Sequence, residues 1–211
     1  MQASIALNLA REAGVAQIVY LSILSADRMV DVPHAACKLP IERMIFDQGL
    51  PATVLRASMF MQNDLAIQPA LLGGVYPWPI GGKGLAHVDV RDVGEVAAIE
   101  LLRRETAPGP LPPNAIAVCG PDELTGDAVA AIWTEVLGRD VAYAGDDLDA
   151  LERGMLAQGM PAWLAYDFRM MFRAMQVHGQ AEPGAAGRVG EILGRPPRTY
   201  RAFAEEAASR W

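Results

Sequence analysis

Three side chains able to do acid–base or electrostatic chemistry recur at steps of four in His34-Ala-Ala-Cys-Lys38-Leu-Pro-Ile-Glu42. On a helix that spacing puts all three on one face. Lys38 could hold hydroxyl groups of a ligand, and His34 is of the side-chain type that titrates nearest neutral pH, so it could supply a proton. The same residues also admit a plain structural role. Lys38 and Glu42 would then form an exposed ion pair worth under ~1 kcal/mol, with His34 capping the helix start. Pro40 cannot donate to the carbonyl of Ala36, so the helix must kink or start late. A second group lies in Thr53-Val-Leu-Arg56-Ala-Ser-Met-Phe60-Met-Gln-Asn63, which runs from a strand end into a helix. Ligands of open α/β sheets sit beyond the carboxyl ends of strands. Phe60 could stack on such a ligand and Asn63 hydrogen-bond to it. Ser22, at the end of an earlier strand, is placed similarly. Against this, Phe60 and Met61 can be ordinary core and Asn63 a surface residue.

These residues need elements to position them, and the apolar pattern supplies those elements. A helix opens the chain, with Ile5, Leu9 and Ala13 on one face and Gly14 as its stop. The nearly continuous apolar run 17–23 suits a strand buried on both faces of a parallel sheet. A helix over about 35–48 ends at Gly49, and a strand follows over 52–56. This alternation with short links is the rhythm of a doubly wound sheet. Residues 60–72 suit a helix ended by Gly73-Gly74, and 75–84 a loop with at most a short strand. His87 to Val93 leads from a short strand into a helix reaching about Leu102, capped by Asp89 or Asp92. A Pro-rich connector precedes a strand over 115–118, a helix over 124–137 that stops at Gly138, and a possible strand over 141–144. Short helices fill the remainder, divided by Gly159-Met160-Pro161, Pro183-Gly184 and Arg195-Pro196-Pro197. Phe168 to Met175 is Met-rich at helical spacing, and fits a core face or the wall of an apolar pocket.

Bulk properties narrow the function classes. The 211 residues are 52% apolar and 20% charged, ample for a packed core, and suit one domain with at most a small cap. A net charge of −7 with scattered acidic residues argues against a nucleic-acid footprint. No apolar stretch approaches the ~18 residues needed to span a bilayer. Two isolated cysteines, Cys37 and Cys119, point away from a disulfide framework or zinc site and toward a reducing cytoplasm. There is no G-x-S-x-G elbow, and His34, His87 and His178 have no ligand spacing. Gly184, Gly187 and Gly190 match a glycine-loop spacing but follow Pro183 rather than a strand, which argues against a phosphate loop. Gly81-Gly82-Lys83-Gly84 lacks the Ser or Thr of a Walker loop and reads as a turn.

Taken in order, several segments resemble the NmrA-like branch of the atypical short-chain dehydrogenase/reductases. They are Arg11-Glu-Ala-Gly-Val15 with Ile18-Val-Tyr-Leu-Ser22, His34-x-x-x-Lys38-x-x-x-Glu42, Gly49-Leu-Pro-Ala-Thr53-Val-Leu-Arg56, and Phe60-Met-Gln-Asn63. His87-Val-Asp89-Val-Arg-Asp92-Val, Gly120-Pro-Asp-Glu-Leu-Thr125 and Gly194-Arg-Pro-Pro-Arg-Thr199 complete the series. The resemblance implies the C-terminal part of a doubly wound parallel-sheet Rossmann fold with a small, mostly helical cap. Residues 1–120 would form a partial NAD(P)-binding domain and 121–211 a substrate-side cap intertwined with it. It implies NADP or NAD as cofactor and one of two activities. The first is an oxidoreductase acting on a quinone or other small carbonyl compound. The second is a non-catalytic NADP(H)-sensing regulator with a homodimer or regulatory partner. Ser22, Lys38, Phe60 and Asn63 would face the nicotinamide. The wider superfamily's Tyr-x-x-x-Lys pair is replaced by His34 and Lys38, which would carry any proton transfer.

The strand, glycine-rich turn and helix that cradle a pyrophosphate do not occur in this sequence. Either the protein is naturally short or Met1 is an internal Met of a longer reading frame. The second is favoured, because the 17–23 strand would otherwise be an exposed apolar edge open to aggregation.

Overall fold

The computed structural model describes residues 2–211. Helix α1 (Gln2–Glu12) leads through Gly14, whose φ of 68° suits a residue without Cβ, into strand β1 (Ile18–Ile23). Two helices follow, α2 (Pro33–Ala36) and α3 (Lys38–Asp47), and then strand β2 (Ala52–Ala57). The single helix expected over 35–48 is therefore two. The break falls at Cys37, which lets Pro40 sit in the first turn of α3, where its missing N–H costs nothing. Residues 60–72 are likewise not one helix. Met61–Ile67 forms a 3₁₀ segment, and α4 (Gln68–Leu72) begins where Pro69 can occupy the first turn. The fold continues with β3 (Val75–Tyr76), α5 (Val90–Glu105), β4 (Asn114–Val118), α6 (Gly126–Leu137) and β5 (Ala142–Tyr143). Four helices close the chain: α7 (Leu148–Ala157), α8 (Ala162–His178), α9 (Ala185–Leu193) and α10 (Tyr200–Ala208). The expected strand at His87 is only an isolated bridge between Phe60 and Val88.

The main sheet is parallel in the order β1-β2-β4, with Ser22 opposite Arg56 and Arg56 opposite Ala117. On one face Ala52 and Val54 pack under Ile41 and Ile45 of α3 and Leu7 of α1. On the other, Leu55, Ala57 and Val118 pack against Val93 and Val96 of α5 and Val189 of α9. α1 uses its Leu7 stripe because that side meets α3. The face expected from Ile5, Leu9 and Ala13 points away from the core, with Ile5 52% and Leu9 60% exposed. β1 is an edge strand, and Leu21 on it is 42% exposed. A larger core gathers Trp133 of α6, Phe172 of α8, and Tyr200 and Phe203 of α10 around Met59, Met61 and Tyr76. The Met-rich stretch is a core face as expected, with Met170, Phe172 and Met175 buried. β3 and β5 pair parallel beside it.

Two of the sequence segments quoted above meet in space. Arg195 and Arg198 both bind the carboxylate of Asp92, which is fully buried at the start of α5. At Gly120 a Cβ would fall 2.0 Å from the carbonyl oxygen of His87, so only glycine allows that approach. Thr125 caps α6 by accepting from the N–H of Ala128 at 3.2 Å. Thr125→Ala is expected to cost about 1 kcal/mol in urea unfolding, with the slope unchanged.

Candidate functional site

Strands β1 and β2 stay paired to their last residues, Ile23 opposite Ala57, and a cavity of about 180 Å³ lies at these carboxyl ends. Ser22 and Ile23 reach it from β1, Ala57 from β2, and Ser58, Met59, Phe60 and Asn63 from the segment that follows. His34 of α2 and Met171 and Met175 of α8 close it from the other side. Four of the five residues singled out in the sequence, Ser22, His34, Phe60 and Asn63, are thus brought together. Lys38 does not line the cavity. Its Nζ donates to the carbonyl of Leu21 at 2.9 Å and lies 5.4 Å from the ring centre of Tyr20. Burial pushes the Tyr20 phenol up to about 12, with smaller contributions from Cys37 and Glu42.

The structural roles considered for His34, Lys38 and Glu42 need correcting. Lys38 and Glu42 do not pair. Glu42 turns inward, 2% exposed, where it accepts from Ser22 Oγ at 2.5 Å and from Arg56 Nη2 at 2.6 Å and Nε at 3.0 Å. The parallel register explains this, because it sets Ser22 beside Arg56 on the face that α3 covers. His34 is not a helix cap either, since Val32 holds the cap position. Its backbone N–H donates to Asp167 Oδ1 at 2.9 Å, and its ring Nδ1 lies 2.5 Å from Asp167 Oδ2. Asp167 is buried on α8 while the His34 side chain is 48% exposed.

Sequence reasoning missed Asp167 and also Gln180. The Gln180 side-chain oxygen accepts from the Met59 N–H at 2.9 Å and from Ser58 Oγ at 3.3 Å, and its backbone pairs with Gly84 and Ala86. It buckles the segment after β2 to the chain that follows α8. The only available signal for Asp167 was its spacing. Asp167, Met171 and Met175 fall at steps of four on α8 and so share one face.

A larger cleft of about 430 Å³ adjoins, lined by Ser25, Arg28, Glu42, Arg56 and Glu182 among others. The Ser22–Glu42–Arg56 chain runs between the two spaces. Ser25 stands there with φ 58°, the one non-glycine residue with positive φ among those described.

Chemically, the small cavity is an apolar slot with a few polar groups, the usual make-up of a ligand site. Its volume is below the ~300 Å³ at which drug-sized pockets begin, so it takes one ring and not a whole dinucleotide. The described residues include no group of His, Cys, Asp and Glu arranged to hold a metal. None of the described helices is long and apolar enough to cross a membrane.

A parallel sheet with helices on both faces and a slot at its carboxyl ends is the arrangement of the Rossmann-type fold class. Residues 2–204 match the NmrA-like family, and the chain belongs to that family. It is 30% identical over 169 residues to an NAD(P)H azoreductase of Xenophilus azovorans, covering 80% of this chain and 57% of that protein. It is 31% identical over 205 residues to a (4-alkanoyl-5-oxo-2,5-dihydrofuran-3-yl)methyl phosphate reductase of Streptomyces griseus, covering 94% and 68% respectively. Among solved structures, an NADPH-dependent quinone oxidoreductase of Escherichia coli superposes with a TM-score of 0.83 at 25% identity. That match covers 99% of this chain and 72% of the other. The chain thus spans between about half and three quarters of the length of these proteins.

Proposed function

We propose that this chain forms the nicotinamide- and substrate-facing part of an NAD(P)H-dependent reductase acting on a quinone or other small carbonyl compound. The observation that carries the reading is the ring-sized apolar cavity at the carboxyl ends of β1 and β2, with one acid–base side chain on its wall. The named activities of the relatives above support it. The residues present fit the nicotinamide end of the cofactor. The described residues contain no strand–glycine turn–helix unit for the pyrophosphate. When bound, a reduced nicotinamide supplies a hydride.

The chain's own groups would do the rest. Phe60 and the two methionines exclude water and stack on the ring. The Ser22 hydroxyl donates to Glu42, which leaves its oxygen to accept from a ligand amide. Asn63 is exposed and offers both a donor and an acceptor. Lys38 keeps two N–H donors beyond its bond to Leu21, enough for ribose hydroxyls. His34 delivers the proton to the substrate oxygen, and its exposure lets solvent return that proton.

The test is quinone-dependent loss of NADPH absorbance by this chain, with calorimetry of NADPH binding alongside. Turnover that falls about 100-fold in His34→Gln with little change in KM is expected, the scale of a general acid. Tight binding without turnover would instead point to a non-catalytic NADP(H) sensor. Neither binding nor turnover by the folded chain would sink the reading.

A further inference from the structure

The His34–Asp167 contact joins the two sides of the cavity and does more than pack them. One carboxylate, 4% exposed, takes two bonds from the same residue, the His34 backbone N–H at 2.9 Å and ring Nδ1 at 2.5 Å. The backbone N–H belongs to the first turn of α2, where it has no partner within the helix. A carboxylate has only acceptor atoms when ionised, so the ring nitrogen facing it must carry hydrogen. The same face of α8 supplies Met171 and Met175 to the cavity wall, four and eight residues further on. One rigid helix therefore sets both the apolar slot and the protonation pattern of the histidine beside it.

We infer that Asp167 is a positioning residue which holds the His34 proton on Nδ1 and so leaves Nε2 as the nitrogen that serves the ligand in the cavity. The functional consequence rests on the reductase reading above. In the imidazolium form Nε2–H is the proton given to the substrate oxygen as the carbonyl carbon accepts a hydride. The other proton stays on Nδ1, hydrogen-bonded to Asp167, and the ring is left neutral. In the neutral form Nε2 presents a lone pair. Without the clamp, an exposed imidazole on a four-residue helix would be free to rotate and to change tautomer.

Asp167→Asn gives a sharp test because it keeps the shape and alters one atom. Oδ1 must remain the oxygen that accepts from the His34 backbone N–H, so the new NH₂ falls opposite Nδ1. Nδ1 must then accept, and the ring proton moves to Nε2. The same reasoning explains loss of function when the buried aspartate of a catalytic triad becomes asparagine. The readout is ¹⁵N chemical shifts of the imidazole nitrogens in the full chain, at a pH where the rings are neutral. Only His34, His87 and His178 contribute signals, and the spectrum of His34→Gln assigns the first. The expected result is Nδ1–H at His34 in the wild type and Nε2–H in Asp167→Asn.

Nε2–H in the wild type, or an unchanged tautomer in the variant, would overturn the inference. The wild-type spectrum decides even if the variant does not fold. An Nδ1–H wild type that binds NADPH and turns over no quinone would defeat the reductase reading and leave the clamp standing. Where turnover exists, Asp167→Asn should lower kcat by at least tenfold with KM little changed, and Asp167→Glu should restore part of it.

Discussion

Asp64→Asn is expected to leave stability nearly unchanged at about pH 4 and to raise it by about 4 kcal/mol at about pH 8. Asp64 lies in the 3₁₀ segment after β2, fully buried. Tyr200 donates to its Oδ2, and Trp133 Nε1 donates to the Tyr200 hydroxyl at 2.9 Å. Oδ1 has no hydrogen-bond partner, although the indole nitrogen of the partly buried Trp78 stands close enough to favour the charged form. Burial outweighs both of these aids and pushes the carboxyl up from 3.8 to about 7. Between those values the native state holds a proton that the unfolded chain has released. Stability from this group is therefore complete below about pH 4 and lost as the pH rises through 7. Asparagine keeps an oxygen for Tyr200 and never has to ionise.

The histidine nearby titrates in the opposite sense. His87 is fully buried, with its ring centre 5.2 Å from that of Tyr200 and its Nε2 without a partner. Burial lowers it from 6.5 to about 4, a shift that the carbonyl of Leu85 only partly opposes. Stability from His87 is therefore present above about pH 6.5 and lost as the pH falls through 4. Across the shared window the two slopes cancel, because folding in effect moves one proton from histidine to aspartate. In Asp64→Asn the histidine acts alone, and stability should climb by about 3 kcal/mol from pH 4 to 6.5. Despite burial, arginine partners hold Asp89 and Glu100 below the usual carboxylate range, so their loss in acid is common to both proteins. Urea unfolding at several pH values measures the two curves. If they run parallel, the buried ionisation assigned to Asp64 is wrong.

The sequence disclosed what depends on local pattern and concealed what depends on long-range contact. The 18–23 and 52–57 strands, the stop at Gly138 and the Asp89 cap all follow from apolar runs, glycine and short polar side chains acting within a few residues. So did the clustering of Ser22, Phe60 and Asn63, because strand ends in a parallel sheet fall together. α1 was given the wrong face because it carries two apolar stripes, and only the position of α3 chooses between them. Asp167 could not be found, since 133 residues separate it from His34. Asp64 falls within the 60–72 segment expected as one helix, and only the packing of α10 over it makes it a buried acid. The step-of-four spacing of His34, Lys38 and Glu42 was real but misleading. The break at Cys37 turned one helical face into three separate attachments.

Glu42 shows what those attachments are worth. Glu42→Ala is expected to destabilise the chain by about 3 kcal/mol, toward the low end of the range for breaking a buried ion pair. The reason for the low end is Arg56, whose side chain is 38% exposed and can recover some hydration. Glu42→Gln keeps an acceptor for Ser22 and should cost about half as much. Removing both charges is the informative step. In Glu42→Leu with Arg56→Met neither desolvated charge is stranded, and most of the loss should return. A urea-denaturation cycle over the two single variants and the double variant measures the coupling. A double variant as unstable as the sum of the singles would mean that the pair packs the sheet face without binding electrostatically. The Ser22 hydroxyl then adds a second reading of the same cycle. If Glu42 orients that hydroxyl toward its own carboxylate, Glu42→Leu frees it to rotate into the cavity, so ligand affinity should change more than in Arg56→Met, which leaves the Ser22 bond intact.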